Sequence, residues 1–373
     1  MAVLIIGSVS NDILRLQKFF NRIELMNIHC FTTAESAIQF DYLFLKEDIQ
    51  LIVYDAKLHL NNCEEHCQKI EALTKWCDAP IILSTSYEKP IILDRLFEVG
   101  IFDFILKPFD FTHFKTRVQV ALKYDAETKL RKQHQYKLAQ DLAIAKNVQK
   151  NSLSPALSLP HIELDGLYIT SQTLGGDMYC WFSLDEDLTA VMLFDVMGHG
   201  IAASLITMSI RSLLKGIITT LIDPVSVITE LNKQIYELFS TDDLDSFLVT
   251  AVYMLIDKKN RTLQYVNASH PAGVLFGKYG ETVALSANSP ILGLFPAIQV
   301  KAKRVRLTGW HRIILYTDGL LTLQDDEEID LHFFHSYASQ SNSYALQKFS
   351  QKYELADQQF EDDITIVSIT ITL

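Results

Sequence analysis

The stretch that decides the fold reads Gly-Gly-Asp-Met-Tyr-Cys-Trp-Phe at residues 175–182 and Val-Met-Leu-Phe-Asp-Val-Met-Gly-His-Gly at residues 191–200. Each half contains an aspartate, Asp177 or Asp195. The apolar run at residues 189–194 predicts a buried strand that stops at Asp195, and the glycines after it predict a sharp turn into a helix. A carboxylate at the junction of a strand, a turn and a helix is well placed to hold a cation.

The same combination of an apolar strand and an aspartate recurs later in the chain. Residues 312–316 read Arg-Ile-Ile-Leu-Tyr and lead directly towards Asp318. Asp362 and Asp363 precede residues 364–371, whose alternation predicts a strand with one polar face. Because Mg²⁺ and Mn²⁺ prefer carboxylate, carbonyl and water ligands, acidic residues at four strand edges predict a metal centre built from oxygen ligands.

Six motifs in this order resemble the bacterial SpoIIE-type branch of the metal-dependent PPM serine/threonine phosphatases. The resemblance covers roughly residues 150–373 and implies an α+β sandwich of the α-β-β-α type, with two divalent cations, Mn²⁺ or Mg²⁺, at one end. The motifs are Gly175-Gly176-Asp177, Asp195-Val196-Met197-Gly198-His199-Gly200, Phe247-Leu248-Val249-Thr250-Ala251, Asn267-Ala268-Ser269-His270-Pro271, Leu315-Tyr316-Thr317-Asp318-Gly319-Leu320 and Asp362-Asp363-Ile364-Thr365.

The resemblance also implies which residues hold the cations. Asp195 would bridge both ions, and the first residue of the acidic pair, Asp362, is preferred over the second because the family's ligand is the first. The implied ligands are Asp177, Asp195, Val196 through its backbone carbonyl, Asp318 and Asp362, with Asp363 as the alternative to Asp362.

The implied reaction is hydrolysis of a phosphoserine or phosphothreonine ester. Two cations about 4 Å apart can share a water, lower its pKa and direct it at phosphorus, so the reaction needs no side-chain nucleophile. Family resemblance points to a phosphorylated anti-sigma-factor antagonist, or a similar partner-switching protein, as the substrate. The alternative is a non-catalytic scaffold that binds a phosphoprotein.

Overall composition restricts the class of protein. The chain has 373 residues, 49% of them hydrophobic, and a formal net charge of −12, which argues against a nucleic-acid partner. We find no signal peptide and no apolar run near the roughly 20 residues of a membrane span, so we expect a soluble chain of two domains without a membrane partner. Five cysteines without metal-finger spacing favour a reducing, cytoplasmic location.

Residues 1–122 alternate strands and helices, which predicts an α/β doubly wound parallel sheet with a site at the carboxyl ends of its strands. Asp55, Thr85 and Lys107 all fall at such ends. These three residues resemble the site of a response-regulator receiver domain. The resemblance implies that Asp55 accepts a phosphoryl group from a histidine kinase and that Thr85 and Lys107 act as the switch residues. The predicted strands are Ala2–Ile6, Ile49–Tyr54, Ala79–Leu83 and Phe104–Leu106.

The receiver resemblance has one departure. Gly7 and Ser8 stand where the family has an acidic pair after the first strand, and losing two carboxylates weakens the expected Mg²⁺ site. Two interpretations stay open for residues 1–122. Asp55 is phosphorylated, or the segment is a pseudo-receiver that serves as a docking or dimerisation surface.

Residues 123–153 predict a helical linker, and the phosphatase domain is expected at residues 154–373. Four apolar residues at helical spacing indicate a stripe that faces a partner or the neighbouring domain. A receiver-like domain followed by a helical linker is consistent with a homodimer through this helix. We expect this helix to transmit regulation; the alternative is an inert spacer. The stripe consists of Leu138, Leu142, Ala145 and Val148.

Overall fold

The structure is a computed structural model. It describes residues 2–7, 11–22, 27–39, 48–58, 62–86, 90–239, 247–322, 331–355, 358 and 360–373. Internal contacts divide the chain into two units, residues 1–138 and 139–373. The division lies within the segment predicted as a linker helix.

The first unit contains a parallel sheet of five strands in the order β2-β1-β3-β4-β5. Its alternating strands and helices agree with the predicted doubly wound sheet. The strands are β1 (Ala2–Ile6), β2 (Asn27–Phe31), β3 (Ile49–Asp55), β4 (Ile81–Thr85) and β5 (Asp103–Leu106). The helices are α1 (Asn11–Arg22), α2 (Ala34–Gln39), α3 (Cys63–Trp76), α4 (Pro90–Glu98) and α5 (Phe111–Ser152).

Helices cover both faces of this sheet. One buried cluster joins α1 and α5 to side chains such as Val53 and Ile82, and a second joins α2, α3 and α4 to their strand neighbours Ile52 and Ile81. Successive strand residues thus enter opposite cores, which explains why these strands are apolar almost throughout.

The last helix of the first unit continues into the second. Helix α5 has 42 residues, so the predicted linker is the extension of a helix that begins twelve residues earlier, at Phe111. It packs on the sheet through Phe114, Val118 and Ala121 and ends with Ser152.

The second unit contains two antiparallel sheets. The first has the order β14-β11-β10-β9-β8, and the second has the order β13-β12-β15-β16-β7-β6. The first sheet is formed by β8 (Asp177–Ser183), β9 (Leu188–Val196), β10 (Val249–Asp257), β11 (Thr262–Ala268) and β14 (Lys303–Arg306). The second is formed by β6 (Leu157–Leu159), β7 (Ile162–Ile169), β12 (Gly273–Gly277), β13 (Thr282–Leu285), β15 (Trp310–Tyr316) and β16 (Ile364–Thr372).

Three buried clusters show that the second unit is an α-β-β-α sandwich, as expected. One cluster lies between the sheets, one joins the first sheet to two helices, and one joins the second sheet to two others. The helices on the first sheet are α6 (Gly200–Leu221) and α7 (Pro224–Phe239). The helices on the second sheet are α8 (Phe333–Ser336) and α9 (Asn342–Lys352).

Helix α6 is long and apolar enough to cross a membrane by length and composition alone, with a mean hydropathy of 1.5. By this criterion, the expectation that the sequence contains no apolar run long enough to span a membrane is wrong. The structure gives the apolar residues another role, because Ala203, Ile206, Ile210 and Leu214 recur at helical spacing and pack against the first sheet.

Candidate metal centre

Strand alternation places the first two predicted ligands between the sheets. On β9, Val191 and Leu193 belong to the core between the sheets, so Asp195 is the next residue on that face. On β8, Tyr179 has the same orientation, and Asp177 lies two residues before it. The two aspartates are direct partners in the antiparallel pairing of β8 with β9.

The second sheet presents two hydroxyl groups at the same end of the sandwich. Leu315 on β15 and Val367 on β16 lie in the core between the sheets, which puts Thr317 and Thr365 on the same face. Both threonines are fully buried. Their hydroxyls donate to Oδ2 of Asp177, at 2.7 Å from Thr317 and 2.6 Å from Thr365.

The aspartates repel one another. Burial, followed by the charges of Asp318 and Asp362, raises the pKa of Asp195 from 3.8 to about 7. Burial, followed by the charge of Asp195, raises the pKa of Asp177 well above its ordinary value. Burial and the neighbouring Asp362 also raise the pKa of Asp318. Among the described side chains that shift the pKa of Asp195, none is basic.

The donor set fits a hard divalent cation. Carboxylates from three distant parts of the chain interact at one end of the sandwich, and a cation would relieve the repulsion among them. Within the described part of the chain, no three His, Cys, Asp or Glu side chains are grouped tightly enough to hold a metal ion as they stand. The structure therefore brings the predicted aspartates together without forming a closed coordination shell.

The two residues of the C-terminal acidic pair have different surroundings. Asp363 is buried, and its carboxylate accepts hydrogen bonds from the backbone amides of Ser171 and Gly176, each at 2.7 Å. Asp362 is partly exposed and interacts electrostatically with Asp195. Because both oxygens of Asp363 are engaged by the protein, its geometry is that of a brace for the glycine loop.

Glycine is required where the loop meets β9. A side chain at Gly176 would bring its Cβ to 2.7 Å from the carbonyl oxygen of Val196 and 2.9 Å from that of Gly198. Gly198 itself has a φ of 92°, in the left-handed region that favours glycine. These glycines keep the Val196 carbonyl, a predicted ligand, next to the loop that carries Asp177.

The sequence analysis missed a contact between α5 and this loop. The side-chain amide of Gln149 donates to the carbonyl oxygen of Gly175 at 2.7 Å and accepts from its N–H at 3.2 Å. Gln149 is 3% exposed, so water does not compete for these bonds. No signal in the sequence indicates this contact, because helical spacing does not identify the partner of a polar residue on a charged helix.

The two histidines of the motifs have structural surroundings. His199 is exposed, and its Nδ1 is 2.8 Å from Nε2 of Gln172. His270 is buried, its backbone N–H donates to Asn267 Oδ1, and its Nδ1 lies 2.8 Å from the hydroxyl oxygen of Thr250. Through these two contacts, His270 braces a loop.

His270 predicts a loss of stability in acid. Burial lowers its pKa from 6.5 to about 3, so below pH 6.5 the unfolded chain takes up a proton that the folded chain does not. This contribution is absent at neutral pH and grows as the pH falls towards 3. We expect wild type to lose about 2 kcal/mol more than His270→Asn between pH 7 and pH 5. Urea unfolding at both pH values measures the difference, and equal losses in the two proteins would contradict the prediction.

The carboxyl ends of the parallel strands in the first unit also meet. Asp55, at the end of β3, forms an ion pair with Lys107, and both side chains are largely buried. Thr85 ends the neighbouring strand β4 and is fully buried. A Cβ at Gly7 would lie 2.8 Å from the Cβ of Asp55, so the backbone leaves no room for an acidic side chain there. Ser8 lies outside the described residues. At Gly7 the structure therefore offers no carboxylate to a Mg²⁺ ion.

Comparison with known proteins gives the following matches. A family model described as Stage II sporulation protein E (SpoIIE) matches residues 185–372, a range that includes every predicted ligand except Asp177. The phosphoserine phosphatase RsbP of Bacillus subtilis is 35% identical over 189 residues, which are 50% of this chain and 47% of RsbP. The phosphoserine phosphatase RsbU of the same organism is 23% identical over 241 residues, 62% of this chain and 70% of RsbU.

The SiaA-PP2C domain of Pseudomonas aeruginosa is a solved structure with a similar fold. Its TM-score is 0.54 at 20% sequence identity, and the match covers 64% of this chain and 98% of that domain. The likeness supports the α-β-β-α sandwich of the second unit. The chain spans about half the length of RsbP.

Proposed function

The chain belongs to the SpoIIE family, and on this basis we propose that it is a metal-dependent protein-serine/threonine phosphatase. The observation that carries the proposal is the convergence of Asp177, Asp195, Asp318 and Asp362 at one end of the sandwich, where no described basic side chain offsets the charge on Asp195. Two relatives, RsbP and RsbU, are named phosphoserine phosphatases.

In the proposed mechanism, aspartate side chains and one backbone carbonyl of this chain would hold the metal ions. Asp195 would help to hold both Mn²⁺ or Mg²⁺ ions, Asp177 and the Val196 carbonyl would hold one of them, and Asp318 and Asp362 would hold the other. When bound, the ions supply a water of lowered pKa and offset the charge of the phosphoryl oxygens. The buried hydroxyls of Thr317 and Thr365 keep Asp177 in place.

The substrate we propose is a phosphorylated protein of the anti-sigma-factor antagonist type. The exposed carboxylate of Asp318 and the partly exposed carboxylate of Asp362 lie at the open end of the sandwich, where a phosphoserine on another protein can approach. An enclosed small-molecule cleft is not required for such a substrate. We propose that the reaction takes place in the cytoplasm.

We further propose that the first unit regulates the second through α5. The helix is continuous from the core of the first unit to the turn that carries Gln149, and this glutamine holds the backbone of Gly175, two residues before Asp177. Rotation or bending of the helix would therefore move the glycine loop. The apolar stripe on its exposed part offers a surface for a second copy of the chain.

The receiver-like role of the first unit is also a proposal. It is supported by the strand order and by the presence of Asp55, Thr85 and Lys107. The lack of room for an acidic side chain at Gly7 argues against a Mg²⁺-dependent phosphorylation of Asp55. Exposure to acetyl phosphate, followed by intact-mass measurement of wild type and Asp55→Asn, distinguishes the two interpretations. A phosphoryl adduct on wild type alone identifies an acceptor, and no adduct on either protein identifies a pseudo-receiver.

Phosphate release tests the proposed activity. The full chain and residues 139–373 are each incubated with a phosphoserine peptide and with p-nitrophenyl phosphate, with and without Mn²⁺. The fragment starts at residue 139 because it must retain Gln149. We expect Mn²⁺-dependent release that a chelator abolishes.

The comparison of the two proteins also tests regulation. Greater activity in the fragment means that the first unit inhibits, and greater activity in the full chain means that it activates. Tight binding of a phosphoprotein without release from either protein would contradict the phosphatase and support the scaffold.

A further inference from the structure

Two buried threonines and one aspartate form a hydrogen-bonded cluster that links the two sheets of the second unit. Asp177 begins β8 in the first sheet, whereas Thr317 follows β15 and Thr365 lies on β16 in the second. The carboxylate accepts both hydroxyls at the same atom, Oδ2. All three residues are at most 1% exposed, so the protein itself must satisfy their polar atoms.

The backbone fixes the direction of one hydroxyl. The N–H of Thr365 donates to Oγ1 of Thr317 at 2.9 Å, so the single proton of that hydroxyl is left for an acceptor. Asp177 Oδ2 is 2.7 Å away, whereas the competing carbonyl oxygen of Asp363 is 3.4 Å away. The hydroxyl proton of Thr365 has Asp177 Oδ2 as its acceptor at 2.6 Å.

We propose that Thr317 and Thr365 are positioning residues that select which oxygen of Asp177 binds a cation. Two donors occupy Oδ2 and leave Oδ1 for a divalent ion. Because the donors belong to the strand ends that precede Asp318 and follow Asp362, the same bonds set the spacing between ligands on opposite sheets. The proposal rests on the proposed metal-dependent function, and both threonines act through Asp177.

The test measures Mn²⁺ binding by the full chain directly, from the electron paramagnetic resonance signal of free Mn²⁺. Thr317→Val and Thr365→Val keep the shape and remove the hydroxyl, whereas Thr317→Ser and Thr365→Ser keep the hydroxyl. Thr189→Val is the matched control, because Thr189 is also buried but lies at the far end of β9 from Asp195. Circular dichroism establishes that each variant is folded.

We expect each valine variant to bind Mn²⁺ about 10- to 100-fold more weakly, the usual effect of removing a partner that orients a metal ligand. The serine variants and the control should retain wild-type affinity. In phosphate-release assays the valine variants should need more Mn²⁺ for half-maximal rate, while the KM for the phosphopeptide stays unchanged.

Two results would overturn the proposal. One is a folded valine variant with wild-type Mn²⁺ affinity, and the other is a serine variant as weak as its valine counterpart. Wild type that binds Mn²⁺ but releases no phosphate would overturn the proposed activity and leave the positioning role standing on the binding data. Wild type that binds no Mn²⁺ would overturn both.

Discussion

Replacing Asp195 by asparagine should abolish phosphate release and leave the fold intact. The carboxylate lies beside Asp177 and interacts with Asp318 and Asp362, so it is the common neighbour of all the predicted ligands. An amide of the same shape removes the charge that would hold two cations. We expect kcat to fall roughly a thousandfold or more, because bound metal ions supply several kcal/mol of transition-state stabilisation.

The same substitution should not destabilise the metal-free protein. Burial, followed by the charges of neighbouring carboxylates, raises the pKa of Asp195 to about 7, so the charged form is unfavourable in the folded chain at neutral pH. Asparagine removes this repulsion. Thermal unfolding in chelator at pH 8 should therefore give a Tm for Asp195→Asn at or above that of wild type, and added Mn²⁺ should raise the wild-type Tm more than that of the variant.

The matched control for this experiment is Asp257→Asn. Asp257 pairs with Leu188 at the opposite end of the β9–β10 pair, whereas Asp195 pairs with Thr250 near its start. Normal turnover in the control and loss in Asp195→Asn would assign the effect to the end of the sandwich that carries the four aspartates. Equal turnover in Asp195→Asn and wild type would contradict the proposed mechanism.

The sequence predicts the role of a residue when its neighbours in the chain determine that role, and fails when distant residues do. Asp177 and Asp195 stand at strand ends marked by glycine, so local pattern is enough to select them. In the first unit, apolar runs predict β1, β3, β4 and β5, whereas β2 is not among the predicted strands, because its side chains are exposed or only partly buried. The role of Asp363 is not, because its hydrogen bonds reach Ser171 and Gly176, nearly 200 residues earlier in the chain.

Arg312 shows a second limit of local pattern. It stands in a run that predicts an apolar strand, yet it is a fully buried cation. Its guanidinium donates to backbone carbonyl oxygens of Phe334, Tyr337 and Gln340. These acceptors come from the segment around α8, and no periodicity in residues 312–316 could indicate them.

The contact between Gln149 and Gly175 is likewise invisible in the sequence, and its removal should have the second-largest effect on activity. Gln149→Leu preserves bulk but leaves the buried N–H and carbonyl of Gly175 without partners, at a cost of about 1–3 kcal/mol for each group. The loop can relieve that cost only by shifting, and Asp177 would shift with it. A displacement of about 1 Å near a reaction centre lowers the rate by up to 100-fold, so we expect kcat to fall by about that factor.

The measurement is Mn²⁺-dependent phosphate release by the full chain, with Lys150→Ala as the control because Lys150 is exposed on the same turn of α5. Gln149→Glu separates packing from hydrogen bonding. It keeps the acceptor for the Gly175 N–H but sets an oxygen against the Gly175 carbonyl, so it should be as inactive as Gln149→Leu. Wild-type kcat in both Gln149 variants would mean that α5 does not hold the catalytic loop. In that case the first unit would have to act on the second by a route other than this helix.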